Sequence, residues 1–314
     1  MAGVLASWAV PRRVLLLCTV ATVVLLAPLV AGYLLAGLPI ALGLGMGYLA
    51  CVRAALSLRP LYAIGLAVPA AMAGAVAVAL RGQPLVAAFF VALCCLLVAP
   101  ANTLVDSLMA GVPSAAAVLV AVPGDYRPVP TAVCMLLGGL IVVGLATRLD
   151  RGPAPSTAVP APLAWRHAIV MAVAVGVVVY LLQLLAWPHG YWVALTLTVV
   201  LRPDTGQTRE RSWQRVVGTV AGVVLALVMA ALLPLPVIAG ALAVCFVLTL
   251  AYTLLQDYTR QAVFMTPAIV LLGSAASPNA IAAERALYTA AGALLAVGIA
   301  IGLAWLDRKR EVAA

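Results

Sequence analysis

The stretch Tyr191–Gly222, YWVALTLTVVLRPDTGQTRERSWQRVVGTVAG, sets four arginines, an aspartate and a glutamate between two apolar segments. Ionised groups are costly in hydrocarbon, so this pattern predicts a chain that leaves a bilayer, turns in water and enters again. Pro203, Asp204 and Gly206 supply the turn, and Thr208 is expected to cap the next helix with Glu210 in its first turn. Arg211 and Arg215 are four residues apart and so share a helical face. That face runs on to Gly218 and Gly222, a small-residue pair at the spacing that lets a neighbouring helix approach closely.

Composition extends the membrane reading to the whole chain. Of 314 residues, 66% are hydrophobic and 9% charged, where soluble domains carry roughly a quarter charged residues. The mean hydropathy is +1.19. The apolar runs are long and rich in alanine, valine, leucine and glycine, without the alternation of a transmembrane β-barrel. The fold class expected is therefore an all-α integral membrane protein. The net charge of +9 comes from 17 arginines and one lysine scattered between apolar runs. That scatter orients a membrane protein and makes no basic face for nucleic acid. The six cysteines, Cys18, Cys51, Cys94, Cys95, Cys134 and Cys245, sit in or beside apolar runs and form no CxxC pair. His167 and His189 lie at opposite ends of one run. No metal or cofactor is expected. Arg12 and Arg13 ahead of an apolar run resemble a signal peptide, but hydrophobicity continues past Tyr33, which favours an uncleaved first span.

Apolar runs fall near 14–33, 35–52, 61–80, 84–101, 107–122 and 130–147, then 167–186, 190–201, 215–233, 236–256, 261–274 and 285–306. About twelve transmembrane helices are expected, ten at the least, because 190–201 and 261–274 fall short of the ~20 residues a perpendicular span needs. A proline-rich polar linker, residues 151–165, separates residues 1–150 from residues 166–314. Gly32-Tyr33 echoes Gly190-Tyr191, and Leu149-Asp150-Arg151 echoes Leu306-Asp307-Arg308. The expected architecture is two parallel six-helix repeats, the first degenerate, since an even number of spans preserves orientation. With a cytoplasmic amino terminus and every run spanning, fifteen of the eighteen basic residues fall inside, and only Arg81, Arg127 and Arg285 outside. Both termini are then cytoplasmic, in a plasma or inner membrane.

The residues Tyr191-Trp192, Leu195-Thr196, Pro203, Gly206, Arg215, Gly218-Thr219 and Gly222 resemble the pattern of the fusaric acid resistance and aromatic acid exporter superfamily, relatives of the plant aluminium-activated malate transporters. A second echo is ERALYTAAG, Glu284–Gly292. The first half lacks the motif, and no segment corresponds to the large soluble domains that many members carry. The resemblance implies export of organic anions such as aromatic carboxylates. The residues it points to as substrate pathway are Arg215, Arg285, Tyr191, Trp192, Thr196 and Thr219, with Gly218, Gly222 and Gly292 as helix-packing positions. Arginine at a helical mouth gathers anions and grips a carboxylate with two parallel donors. Asp257, Arg260 and Asp106 are candidate coupling or gating residues, and an i,i+3 ion pair is the plainer reading of Asp257 and Arg260. Pro267 is either a helix kink or a break facing a cavity. GLGMG, Gly43–Gly47, lies inside an apolar run and reads as helix packing rather than nucleotide binding. No nucleotide-binding, HExxH or GxSxG motif occurs, so no enzyme activity is expected. The function classes left are an organic-anion exporter, an anion channel and a non-transporting membrane scaffold or intramembrane enzyme, the last of which lacks a convincing facing pair of acids or Ser/His within the spans. The partners expected are a small organic anion and the lipid bilayer, with the chain acting as a homodimer or as a single-chain pseudo-dimer.

Overall fold

The computed structural model describes residues 10–106, 108–148, 158–187, 189–273 and 278–313. Leu149-Asp150-Arg151 and the first part of the expected linker, through residue 157, lie outside the described residues, and the last five residues of that linker, from Ala161, already belong to a helix. The described residues form helices and no strands. In chain order these are α1 (Arg12–Ala36), α2 (Leu38–Ser57), α3 (Pro60–Ala79), α4 (Pro84–Leu96), α5 (Val98–Asn102), α6 (Gly111–Ala121) and α7 (Pro128–Arg148). They continue as α8 (Ala161–Leu184), α9 (Tyr191–Val200), α10 (Thr205–Leu232), α11 (Leu235–Leu254), α12 (Tyr258–Gly273) and α13 (Pro278–Ala313).

Among the described residues, nine helical segments are long and apolar enough to cross a bilayer, with α4 and α5 counted as the one segment Pro84–Asn102. The expected runs 107–122, 190–201 and 261–274 fold as the shorter helices α6, α9 and α12, of 11, 10 and 16 residues. At 1.5 Å per residue, none of the three alone reaches across about 30 Å of hydrocarbon. Pro267 sits inside α12, which continues through it as helix, so the chain does not break there.

Proline punctuates the fold where its missing N–H costs nothing. The helices α2, α3, α4, α8 and α11 each carry it at their first or second position. The surface is apolar, with Leu34, Leu35, Leu61 and Leu294 more than 70% exposed. The interior is built of smaller side chains, among them Ala63, Ala67, Ala117, Ala194 and Ala296, all fully buried. Large apolar groups facing outward over a small-residue interior suit a lipid solvent, in which close backbone packing rather than water expulsion holds helices together.

The chain divides into two compact units. One comprises Leu25–Ser212 with Tyr288–Ala314. Inside it α2 and α3 pack on α7, α4 and α5 pack on α8, and α6 contacts α2, α3, α4 and α9. The glycines of GLGMG serve that packing: a Cβ on Gly43 would meet the Cβ of Cys134 at 2.8 Å, and one on Gly47 would clash with the Met135 carbonyl. The other unit comprises Met1–Val24 with Trp213–Leu287, and there α11 packs on α12.

Candidate functional site

The charged turn is built differently from the sequence expectation. Helix α10 begins at Thr205, one turn before Thr208, so Thr208 is not its cap. Asp204 does that work: its carboxylate accepts a hydrogen bond from Gln207 N at 2.8 Å. Carboxylates are the preferred partners of the unmet N–H groups at a helix start. The Thr208 hydroxyl instead accepts from Arg202 N at 2.9 Å and folds the loop back on the helix.

From there α10 turns a polar face inward. Thr208, Ser212, Arg215 and Thr219 are 5% exposed or less, and the same face continues through Gly222 to the fully buried Ala226. Trp213, Val220, Val224 and Val228 point the other way and are 47–69% exposed. This inverts the arrangement of a helix in water. A buried guanidinium in an apolar protein costs several kcal/mol unless polar groups, water or a ligand meet it. Arg215 Nε and the hydroxyls of Ser212 and Thr219 have no hydrogen-bond partner among the described residues.

Helix α13 repeats the pattern. Ala282, Arg285, Thr289, Ala293, Ala296 and Ala300 form its buried face, while Leu287, Leu294 and Ile301 are exposed. Arg285 is 1% exposed and heads the largest fully buried side chains of the protein. Glu284, beside it in sequence, is only partly buried.

The glycines on both faces touch short helices. A Cβ on Gly218 would stand 2.6 Å from the Thr259 carbonyl oxygen and 2.6 Å from the Ala262 Cβ of α12. On Gly222 it would stand 2.5 Å from the Val263 carbonyl oxygen and 2.6 Å from the Thr266 Cβ. On Gly292 it would stand 2.9 Å from both the Val193 carbonyl oxygen and the Thr196 Cβ of α9. All three sequence-expected packing glycines thus sit at close helix approaches.

On α9, Thr196 is fully buried and its hydroxyl has no hydrogen-bond partner among the described residues. Thr198 bonds the Ser114 hydroxyl of α6 at 2.8 Å. The rings of Tyr191 and Trp192 meet at a tilt of 40° with centroids 4.9 Å apart, and both border the hydrophobic core. Trp187 meets Tyr288 edge-on at 5.6 Å.

The remaining candidates are placed more locally. Asp257 pairs with Arg260 at 3.0 Å, and its carboxylate also accepts from Arg260 N, so it closes the first turn of α12. The Arg260 guanidinium lies over the Tyr252 ring at 5.6 Å. The Asp106 carbonyl receives a long bond of 3.4 Å from Arg53 Nε.

Arg81, which the sequence marks only as one of three outer-side arginines, has a defined structural task. Its guanidinium donates to the carbonyls of Leu119 at 2.7 Å, Val122 at 2.6 Å and Gly124 at 2.8 Å, and lies 4.2 Å from the Tyr126 ring centre. It closes the carboxyl end of α6, helped by Gln183 Nε2, which donates to the Val120 carbonyl at 2.9 Å. Burial pushes the Arg81 guanidinium below and the Tyr126 phenol above their ordinary values. No sequence signal joins Arg81 to a helix end about forty residues away.

Among the described residues no group of three or more His, Cys, Asp or Glu could hold a metal ion. All six cysteines are buried thiols.

Residues 173–299, from within α8 to within α13, match the family model described as fusaric acid resistance protein-like. An uncharacterized protein of Synechocystis, slr1298, is 29% identical over 140 residues, which is 45% of this chain and 18% of that protein. The inner membrane protein YccS of Escherichia coli is 33% identical over 76 residues, 24% of this chain and 10% of its own length. The chain thus spans less than a fifth of the length of these relatives. No solved structure matches the chain significantly.

Proposed function

We propose that this chain, which belongs to the fusaric acid resistance protein-like family of multi-pass membrane proteins, moves organic anions of the aromatic carboxylate class across the inner membrane, out of the cytoplasm. The observation that carries the reading is the burial of Arg215 and Arg285, 5% and 1% exposed, on the small-residue faces of two apolar helices. Ionisable side chains inside apolar helices are rare and costly, and where they occur they commonly line ion or substrate pathways. An arginine fork matches a carboxylate, and the buried Thr219, one turn beyond Arg215 on the same helix, adds a hydroxyl donor.

The orientation proposed has both termini in the cytoplasm, because that places fifteen of the eighteen basic residues inside. Arg215 then lies toward the cytoplasmic side and Arg285 toward the outer side. Efflux of salicylate from proteoliposomes, with and without an imposed proton gradient, tests the reading. Saturable efflux that follows the gradient supports an exporter, gradient-independent flux supports a channel, and no flux defeats both.

A further inference from the structure

The buried faces of α10 and α13 share several residues at one offset, although Ser212 and Gly218 correspond there to Ala282 and Tyr288. Arg215, Thr219 and Gly222 recur as Arg285, Thr289 and Gly292, each 70 positions on. The short helices against which they pack obey the same offset: Val193 and Thr196 of α9 recur as Val263 and Thr266 of α12. In a chain so rich in alanine, valine and leucine, chance identities are frequent, so structural agreement has to carry the comparison. Three independent features supply it.

The burials match first: 5% and 1% for the arginines, 1% and 0% for the threonines on α10 and α13, 0% and 1% for those on α9 and α12. The contacts are also reciprocal. Gly222 approaches the Val263 carbonyl and Thr266, while its counterpart Gly292 approaches the Val193 carbonyl and Thr196. Each glycine therefore packs on the short helix of the other repeat, which is the pattern of an isologous pairing. Finally, α8 and α11 end alike. Ala186 and Gln256, again 70 apart, take the left-handed conformation at φ 47° and 60°. The following N–H then bonds back across the turn, Trp187 to the Leu182 carbonyl and Asp257 to the Tyr252 carbonyl. This is the helix-ending motif normally given to glycine, and two non-glycine residues adopt it at matching positions.

We propose that α8–α9–α10 and α11–α12–α13 are two copies of one three-helix unit, inserted in opposite orientations. We further propose that Arg215 with Thr219 and Arg285 with Thr289 are equivalent oxyanion-binding positions, one toward each side of the membrane. The inversion follows from the odd number of helices per copy. It requires α9 and α12 to carry the chain across with their flanking residues, and for α9 the arginine distribution favours the same: with every other run spanning, a non-crossing α9 would leave Arg202, Arg209 and Arg211 outside.

The threonines make the positions binding sites rather than packing. Buried helical hydroxyls usually bond the carbonyl one turn back, as Thr249 does to Cys245 and Thr266 to Ala262, both at 2.8 Å. Thr219 and Thr289 make no such bond, and their hydroxyls have no hydrogen-bond partner among the described residues, as is also true of Thr22, Ser57, Thr196 and Ser212. Each of the two lies four residues beyond a buried arginine, hence on its face and one turn along. A guanidinium fork and a hydroxyl donor so placed hold the oxygens of one carboxylate.

The binding part rests on the anion reading above, whereas the inversion does not, so two measurements separate them. In a cysteine-free background, Ala186→Cys and Gln256→Cys occupy exposed equivalent positions. An impermeant maleimide should label the first only from outside intact cells and the second only in inside-out vesicles. Labelling of both from one side overturns the inversion whatever the protein transports. Equilibrium binding of radiolabelled salicylate to the purified protein in detergent reads the sites without any flux. Thr219→Val and Thr289→Val should each weaken binding about tenfold, the effect of one lost hydrogen bond to a charged group, and Thr289→Ser should restore it. Absence of binding by the intact protein, or wild-type affinity in both valine variants, overturns the binding positions. Binding without flux defeats the transport reading and leaves the sites standing.

Discussion

A Cβ placed on Gly222 would stand 2.5 Å from the carbonyl oxygen of Val263, so α10 and α12 touch backbone to backbone at this point. No side chain fits there without moving a helix. Gly222→Leu should therefore lower expression and thermal stability, by more than the 1–3 kcal/mol typical of overpacking, because the obstructing atom is main chain. Gly218→Leu should behave in the same way. Gly240, with nothing within 4 Å of its would-be Cβ, is the comparison: Gly240→Ala should be tolerated. Wild-type melting of the Gly222 variant would contradict the close packing.

Arg81 is expected to be structural. Removing its three hydrogen bonds to the end of α6 should destabilise the protein by at least about 2 kcal/mol. Arg81→Lys keeps the charge but not the fork, so it should recover only part of the loss. A melting curve in detergent decides this, and an Arg81→Ala variant as stable as the wild type would remove the arginine from the account of α6.

The membrane class, the helical content and the close-approach glycines were legible in the sequence, because they follow from composition and from one spacing rule. Boundaries were less so. The run 215–233 underestimates α10, which starts at Thr205, because Asp204 caps it and the helix carries its charged residues out of the apolar stretch. The cap itself is ambiguous in the sequence: Asp204 and Thr208 are both competent, and only the fold selects Asp204. Arg81 could not be assigned, since its partners are main-chain carbonyls of a distant helix and leave no side-chain signature. The 70-residue offset is not legible in the sequence alone, because its diagnostic positions are few in an alanine- and leucine-rich background and gain meaning only when burial and contacts agree.

The Asp257–Arg260 pair is predicted to be local. Its side chains are 31% and 23% exposed, and pairs so placed contribute about 0–1 kcal/mol. Asp257→Asn retains an oxygen for Arg260 N, so stability should barely change and the response of efflux to an imposed proton gradient should persist. Loss of that response with stability intact would make Asp257 the coupling carboxylate.

The central claim is that Arg215 and Arg285 form the anion path, and salicylate efflux from proteoliposomes tests it most directly. Arg215→Gln and Arg285→Gln should each cut the rate by about tenfold or more, the effect of one lost charge-assisted contact, at unchanged expression and melting. Arg209→Gln, the exposed arginine of the same helix, should transport at the wild-type rate. Equal rates for all three variants would contradict the account and leave both arginines as orientation signals.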